Sequence, residues 1–375
     1  MATESAVQLD KPLAKPQLTV KLTRRKIKSI VKDPEKSAKA VNLIYVSDQE
    51  EGIKRIREND VFVYSYQNKK IEDEETLARI KKLALPPAWE NVWICVSENG
   101  HLQATGIDSK GRKQYKYHSQ WCNVRNQTKF YRMYEFGKAL PAIRLHLEKD
   151  LAKPQLSSEK VLATIVSLME RTPIRVGNSS YEKQYGSFGI TTLKDRHVKI
   201  NGTDMHFKFK GKKGVMHDIN IKSRRLANIV KKCRDIPGKE LFQYYNENGE
   251  RCSVDSGMVN DYIKRISGGE FTTKDFRTWA GTVHTFLALK ELGTGETKKE
   301  IQKSIGTAME MVSKHLGNTK SICRKYYVHP SLLELYENKD LQSYLKELEN
   351  IEEDDNKVDL TAEEKIMMKI LETIK

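Results

Sequence analysis

The sequence predicts an α+β protein, with an N-terminal, mainly antiparallel β-sheet domain followed by a mainly α-helical domain that contains a small three-stranded sheet. Three observations predict this. Residues 41–117 break into short β-branched and aromatic runs separated by turn residues, the pattern of antiparallel strands. After residue 123 apolar side chains recur mostly at helical spacing. Within that helical stretch, residues 197–221 revert to strand and turn patterning. A chain of 375 residues is too long for one small core. The expected division is a basic arm over 1–38, a β-rich domain over 39–121 and a helical domain over 122–375.

The arm is polar, clusters Lys21, Arg24, Arg25, Lys26 and Lys28, and shows no apolar periodicity. It reads as disordered, able to bind a polyanion or merely to solvate. Strands follow at 41–46 and 61–66, the second ending in the turn residues Gln67 and Asn68. Residues 72–85 place Leu77, Ile80, Leu83 and Leu85 behind an acidic first turn and ahead of Pro86 and Pro87, which predicts one amphipathic helix. Strands at 92–96 and 101–107 form a hairpin through Glu98, Asn99 and Gly100. In the next strand Arg112, Gln114 and Lys116 alternate with Lys113, Tyr115 and Tyr117. Such interleaving suits a sheet lying on a sugar-phosphate backbone, or an edge strand with solvated lysines.

In the helical region Ser157 or Ser158 caps a helix whose core positions are Val161, Leu162, Ile165 and Leu168, ending near Arg171 before Thr172 and Pro173. The small sheet runs 197–200, turns through Asn201 and Gly202 into 205–210, and returns after the turn at 211–214 as 215–221. Helices are expected at 224–235, 255–267, 273–292 and 297–316, the third burying Phe276, Ala280, Val283 and Leu287 on one face. An acidic, solvated connection at 347–355 precedes a terminal helix at 361–374.

The net charge of +16 and a pI near 9.3 favour an anionic polymer as partner. The longest apolar runs fall far short of the roughly 20 residues that span a bilayer, and the N-terminus lacks a signal-peptide core. Cys95, Cys122, Cys233, Cys252 and Cys323 form no CxxC pair, which argues against a zinc site or a disulfide framework. A soluble protein of a reducing, cytoplasmic compartment is expected, with no membrane partner.

Residues 316–330 concentrate the most phosphate chemistry: Asn318 and Thr319, then Arg324 and Lys325, then Tyr326 and Tyr327. A tyrosine hydroxyl, with a pKa of about 10, is a poor nucleophile unless cations stabilise its phenolate; a core tyrosine pair at a helix end is the plainer alternative. Arg175 lies between apolar Ile174 and Val176, just before Gly177. Lys212 stands at a hairpin tip between Lys210 and Lys213, cations that disfavour its charged form and suit it to give up a proton. Arg277 falls in the first turn of its predicted helix, where it opposes the helix dipole.

The order of these residues matters more than any one of them. Arginine in RxG, lysine in a GK hairpin, KDxR, then GNT with a tyrosine nine positions after Asn318 resembles the catalytic series of the type IB DNA topoisomerases, in their small poxvirus and bacterial branch. The likeness extends from about residue 41 to 341 and includes PPAWENVWI, HLQATGIDSKGRKQY, IRVGNSSYEKQYGSFGITTLKDRHV, FKGKK and KDFRTWAG. It implies the catalytic fold shared by these enzymes and the tyrosine recombinases, a DNA-clamp role for the N-terminal domain, and a monomer closing on duplex DNA at the nucleoid. It implies Tyr327 as nucleophile, Arg175 and Arg277 on the non-bridging oxygens, Lys212 as general acid and Asn318, where many relatives carry histidine, as a phosphate ligand. Arg112, Gln114, Tyr115, Tyr117 and Tyr181 match positions that touch DNA. No ATP, other cofactor or metal is expected, since a phosphotyrosyl ester conserves the bond energy and the chain has no GxxxxGK[ST] loop. A tyrosine recombinase, usually with HxxR where this chain has KDFR, and a non-enzymatic basic DNA-packaging protein are the alternatives.

Overall fold

The structure, a computed structural model, describes residues 22–31, 33–59, 61–109, 111, 113–351 and 358–373. The chain forms two compact units that divide between Tyr131 and Arg132, ten residues beyond the expected boundary. The dividing point lies inside one long helix.

The first unit begins with α1 (Arg24–Ile30) and α2 (Pro34–Lys39), whose first turns are capped by the side chains of Thr23 and Asp33. The expected disordered arm is therefore corrected from Arg24 onward, and residues 1–21 lie outside the described residues. Burial is the reason: Ile30 and Ala38 pack with Val41, Leu43, Trp121 and Val124 in a small core. The expected strand at 41–46 is also corrected. Asn42 has a left-handed φ of 58°, which breaks extended backbone, and only Ile44 bridges to Gly100.

A six-stranded antiparallel sheet follows, in the order β3-β2-β1-β4-β5-β6. Its members are β1 (Ile53–Glu58), β2 (Val61–Tyr66), β3 (Lys69–Lys70), β4 (Glu90–Ile94), β5 (Leu102–Ile107) and β6 (Lys113–Tyr117), with α3 (Glu74–Lys82) between β3 and β4. Ile53, Val92, Ile94 and Ala104 of the sheet bury with Ile71 and with Ile80 of α3. β1 pairs with both β2 and β4, yet its sequence IKRIRE shows little of the apolar alternation that marks a strand. β6 is an edge strand, paired only with β5.

α4 (Ser119–Ala152) begins in the first unit and runs into the second. The second unit continues with α5 (Ser158–Arg171), α6 (Ser179–Tyr185), β7 (Val198–Asn201), β8 (Asp204–Lys210), β9 (Met216–Lys222) and α7 (Arg224–Arg234). Then come β10 (Gln243–Tyr245), β11 (Arg251–Ser253), α8 (Ser256–Ser267), α9 (Thr273–Leu292), α10 (Lys298–Leu316), α11 (Lys320–Tyr326), α12 (Pro330–Glu337), α13 (Leu341–Glu349) and α14 (Ala362–Thr373). Ser157 caps α5, and the small sheet has the order β7-β8-β9 with the expected hairpins. Part of the expected acidic connection belongs to α13, and residues 352–357 lie outside the described residues.

α9 is the centre of this unit. Its start is set by Asp275, whose carboxylate accepts from the backbone N and the hydroxyl of Thr272 at 2.8 and 3.0 Å. Thr278, Trp279, Thr282, Thr285, Phe286 and Leu289 are buried, whereas Ala280, Val283 and Leu287 of the expected face are only partly so. Polar threonines can occupy a core helix because their hydroxyls return to carbonyls one turn back, as Thr285 does to Gly281 at 2.7 Å.

α14 is clasped to this core by charge. Glu364 accepts from both terminal nitrogens of Arg144 at 2.9 Å and from the indole N–H of Trp279 at 2.9 Å. Burial would raise the Glu364 carboxyl, but Arg144 outweighs it and holds the group below the ordinary value near 4.5. Its stabilisation is complete above that value and is lost as pH falls through the lower folded one. Glu364→Gln, which leaves Arg144 buried beside a neutral amide, is expected to cost about 3 kcal/mol at pH 7 in urea unfolding. The gap between wild type and variant should shrink on acidification below pH 4.5.

Candidate active site

The C-terminal end of α10 is where the sequence-predicted residues meet. Helix ends leave carbonyls without intrahelical partners, and here two arginines from distant segments supply the donors. Arg277 donates through Nη2 to the Leu316 carbonyl at 2.8 Å and through Nη1 to the Pro173 carbonyl. Arg175 donates through Nη2 to the Gly317 carbonyl at 3.2 Å and to Asn318 Oδ1 at 2.7 Å. The negative end of the α10 dipole favours both cations.

Each arginine is fixed by its own backbone. Arg277 is the fifth residue of α9, just beyond its first turn, so it does not sit on the helix's free N–H groups. Arg175 lies in an extended segment held by Ile190 N donating to Arg175 O and Thr191 N donating to Val176 O, both at 2.8 Å. Gly317 closes α10 in the left-handed region, with φ 60° and ψ 51°. Its N and that of Asn318 return to carbonyls of the last turn, the capping geometry that favours glycine.

The electrostatics of this cluster are unusual. Arg277 is only 7% exposed, and burial lowers its pKa while Tyr327 partly offsets this. Arg175 is pushed down to about 10, first by burial and then by Arg277. Arg175 Nη1, Arg277 Nε and Asn318 Nδ2 are all buried and make no hydrogen bond. They account for three of the six such side-chain atoms among the described residues, and all three are donors. Leaving a buried donor unsatisfied costs about 1–3 kcal/mol each. An anion with several acceptor oxygens would relieve that cost and the repulsion between the guanidinium groups.

Tyr327 stands beside these donors. It caps α11, its N donating to the Cys323 carbonyl at 2.9 Å, and the Arg277 guanidinium carbon lies 5.3 Å from its ring centroid. Thr282 holds the turn: its hydroxyl reaches the Tyr327 carbonyl at 3.2 Å and accepts from His329 N at 3.1 Å. A Cβ on Gly281 would lie 2.7 Å from the Tyr327 carbonyl oxygen and 3.0 Å from its Cβ. Tyr326, by contrast, is 38% exposed under the Lys325 ammonium.

Lys212 occupies an exposed one-turn 3-10 segment (Lys212–Gly214) joining β8 to β9. The root of this hairpin reaches the end of α10, because a Cβ on Gly317 would meet His217 Cε1 at 3.1 Å and Val215 Cγ1 at 3.5 Å. Tyr115 and Tyr117 project from β6 with rings stacked 6.0 Å apart at 7°, both largely exposed. Gln114 donates to Asp108 at 3.0 Å, and Lys113 pairs with Asp48 at 2.5 Å, so that part of the basic strand is internally neutralised. Tyr181 is exposed on α6. Arg112 lies outside the described residues. Sequence reasoning missed Gly281, Thr282 and His217; a glycine inside a helical pattern is a close-approach signal, but nothing in the sequence marks the other two.

The chain matches known proteins along most of its length. Residues 115–354 match the family model described as eukaryotic DNA topoisomerase I, catalytic core, and residues 61–108 match bacterial DNA topoisomerase IB, N-terminal domain. The chain is 34% identical to DNA topoisomerase 1B of Acanthamoeba polyphaga mimivirus over 77% of its own length and 88% of that protein. It is 30% identical to DNA topoisomerase 1B of Vaccinia virus (strain Copenhagen) over 62% of its length and 72% of that protein. The chain belongs to the type IB DNA topoisomerase family. Within it, the chain groups with the small poxvirus and bacterial enzymes, and the recombinase and packaging-protein alternatives fall away.

The contact at Gly281 yields a test. Alanine raises helix propensity by about 1 kcal/mol but must displace Tyr327. Gly281→Ala is expected to slow covalent protein–DNA formation about 10- to 100-fold without loss of the folded state, measured by quenched cleavage and thermal unfolding.

Proposed function

We propose that the chain relaxes supercoiled duplex DNA by transient cleavage of one strand at Tyr327, and the observation that carries this is the set of three unpartnered buried donors beside that tyrosine. A phosphodiester seated there accepts from Arg175, Arg277 and Asn318 through its non-bridging oxygens, where charge grows in the pentacoordinate transition state. Tyr327 Oη, its proton lost to solvent, forms the bond to phosphorus. The bond from phosphorus to the 5′ oxygen breaks, and Lys212 gives that oxygen a proton, leaving a 3′-phosphotyrosyl ester and a free 5′ hydroxyl.

Religation reverses each step: the 5′ hydroxyl attacks, Lys212 takes its proton back, and the phenol leaves. No nucleotide enters because no bond energy is lost, and between the two steps the free duplex end rotates to release supercoils of either sign. Asn318 donates a hydrogen bond but carries no titratable proton, which confines it to holding the phosphate. Gln114, Tyr115, Tyr117 and Tyr181, with Arg112, contact DNA around the cleaved strand; the exposure of the three tyrosines and the net charge of +16 support this. Nucleophile, arginines, asparagine and lysine hairpin come from one polypeptide, which supports action as a monomer.

Supercoiled plasmid incubated with the protein in chelator and without nucleotide is expected to resolve into a ladder of topoisomers on a gel. An unchanged supercoiled band would sink the proposal. Tyr327→Phe should abolish covalent capture of DNA while Tyr326→Phe retains it; capture by the first and not the second would reverse the assignment.

A further inference from the structure

His217 belongs to none of the roles above, yet it sits where two of them join. It lies near the start of β9 and is only 6% exposed, and its ring stacks on Phe209 of β8 at 5.0 Å and 23°. On one side, a Cβ on Gly211 would lie 2.6 Å from both Cδ2 and Nε2 of the imidazole. On the other, a Cβ on Gly317 would lie 3.1 Å from Cε1. The ring thus fills a slot walled by two glycines, and each wall is the residue immediately before a site residue: Gly211 precedes Lys212, and Gly317 precedes Asn318.

We infer that His217 is a positioning residue that sets the Lys212 hairpin in register with the phosphate ligands at the end of α10. Neither position has room for a side chain: a Cβ on Gly211 would overlap the ring and one on Gly317 would crowd it, so both backbone segments run close against the imidazole. The imidazole thus spaces the backbone that carries Lys212 from the segment that carries Gly317 and Asn318. Burial, then Arg175 and Arg277, hold the ring's pKa down to about 4. At neutral pH the wedge is uncharged and adds no third cation beside the two arginines.

The inference rests on Lys212 being the general acid, and the test separates the two. A duplex carrying sulfur in place of the bridging 5′ oxygen at a cleavage site mapped by covalent capture needs no general acid, because a thiolate leaves unprotonated. His217→Ala is expected to slow single-turnover cleavage of the ordinary duplex about 10- to 100-fold and to cleave the sulfur duplex at close to the wild-type rate. Equal slowing on both duplexes, or no slowing on the ordinary one, overturns the inference. His217→Gln also leaves the slot unfilled by a ring; it is read in the same way and with the same overturning outcomes if the alanine protein does not fold. Lys212→Ala is run beside them. If sulfur fails to restore its cleavage, the general-acid assignment fails; if sulfur restores Lys212→Ala but not the His217 variants, only the present inference fails.

Discussion

The last carbonyls of α10 accept from two arginines that arrive from opposite parts of the unit, Arg277 at Leu316 and Arg175 at Gly317. Two guanidinium groups so close and so buried repel, and the pair persists because each also has donors placed on fixed oxygens, at Pro173 and Asn318. The helix dipole adds a favourable contribution of about 0.3–1 kcal/mol for a cation at a C-terminus, and up to about 2 kcal/mol when partly buried. What remains unmet is one nitrogen on each arginine and the amide of Asn318. The fold holds this arrangement at a cost that an anion with several acceptor oxygens would remove, the condition of a preorganised site.

Much of the second unit can be read as support for that helix end. Gly317 adopts the left-handed conformation that turns the chain toward Asn318, and Thr319 then caps α11, accepting from Ile322 N. The two-turn helix α11, capped by Thr319, brings Tyr327 back over Arg277. From the other side α9 offers a glycine and a threonine at consecutive positions, Gly281 for close approach and Thr282 to hold the carbonyl of Tyr327. α14 locks α9 in turn through Glu364 and Trp279. A residue as remote from the chemistry as Glu364 is therefore tied to the placement of Arg277 through one continuous helix.

The legible parts of the sequence were those with local causes. The cap at Ser157, the helix start at Thr297, strand alternation at 198–210 and the turn at Gln67 and Asn68 act within a few residues, and their elements formed where expected. β1 escaped because a strand whose solvent face carries charge, as in IKRIRE, has no apolar alternation to show. The helices α1 and α2 escaped because their polar composition signals disorder, and only contacts with Trp121 and Val124, some ninety residues on, give Ile30 and Ala38 a place to bury. On α9 the predicted apolar face was not the most buried one, since threonines that bond to their own helix can be interior.

By itself the sequence determined the identities and order of Arg175, Lys212, Arg277, Asn318 and Tyr327, and through them the family. It also determined the two-part α+β plan and the basic charge. Tertiary structure alone decided that Arg175 and Arg277 share one helix terminus, that three donors there stay unpartnered, and that Gly281, Thr282 and His217 surround Tyr327 and the lysine hairpin. The reason is physical: propensity, capping and alternation are local properties of a chain, whereas the convergence of charges and the fit of a ring between two glycines depend on residues about 100 positions apart being brought into contact by the burial of apolar surface.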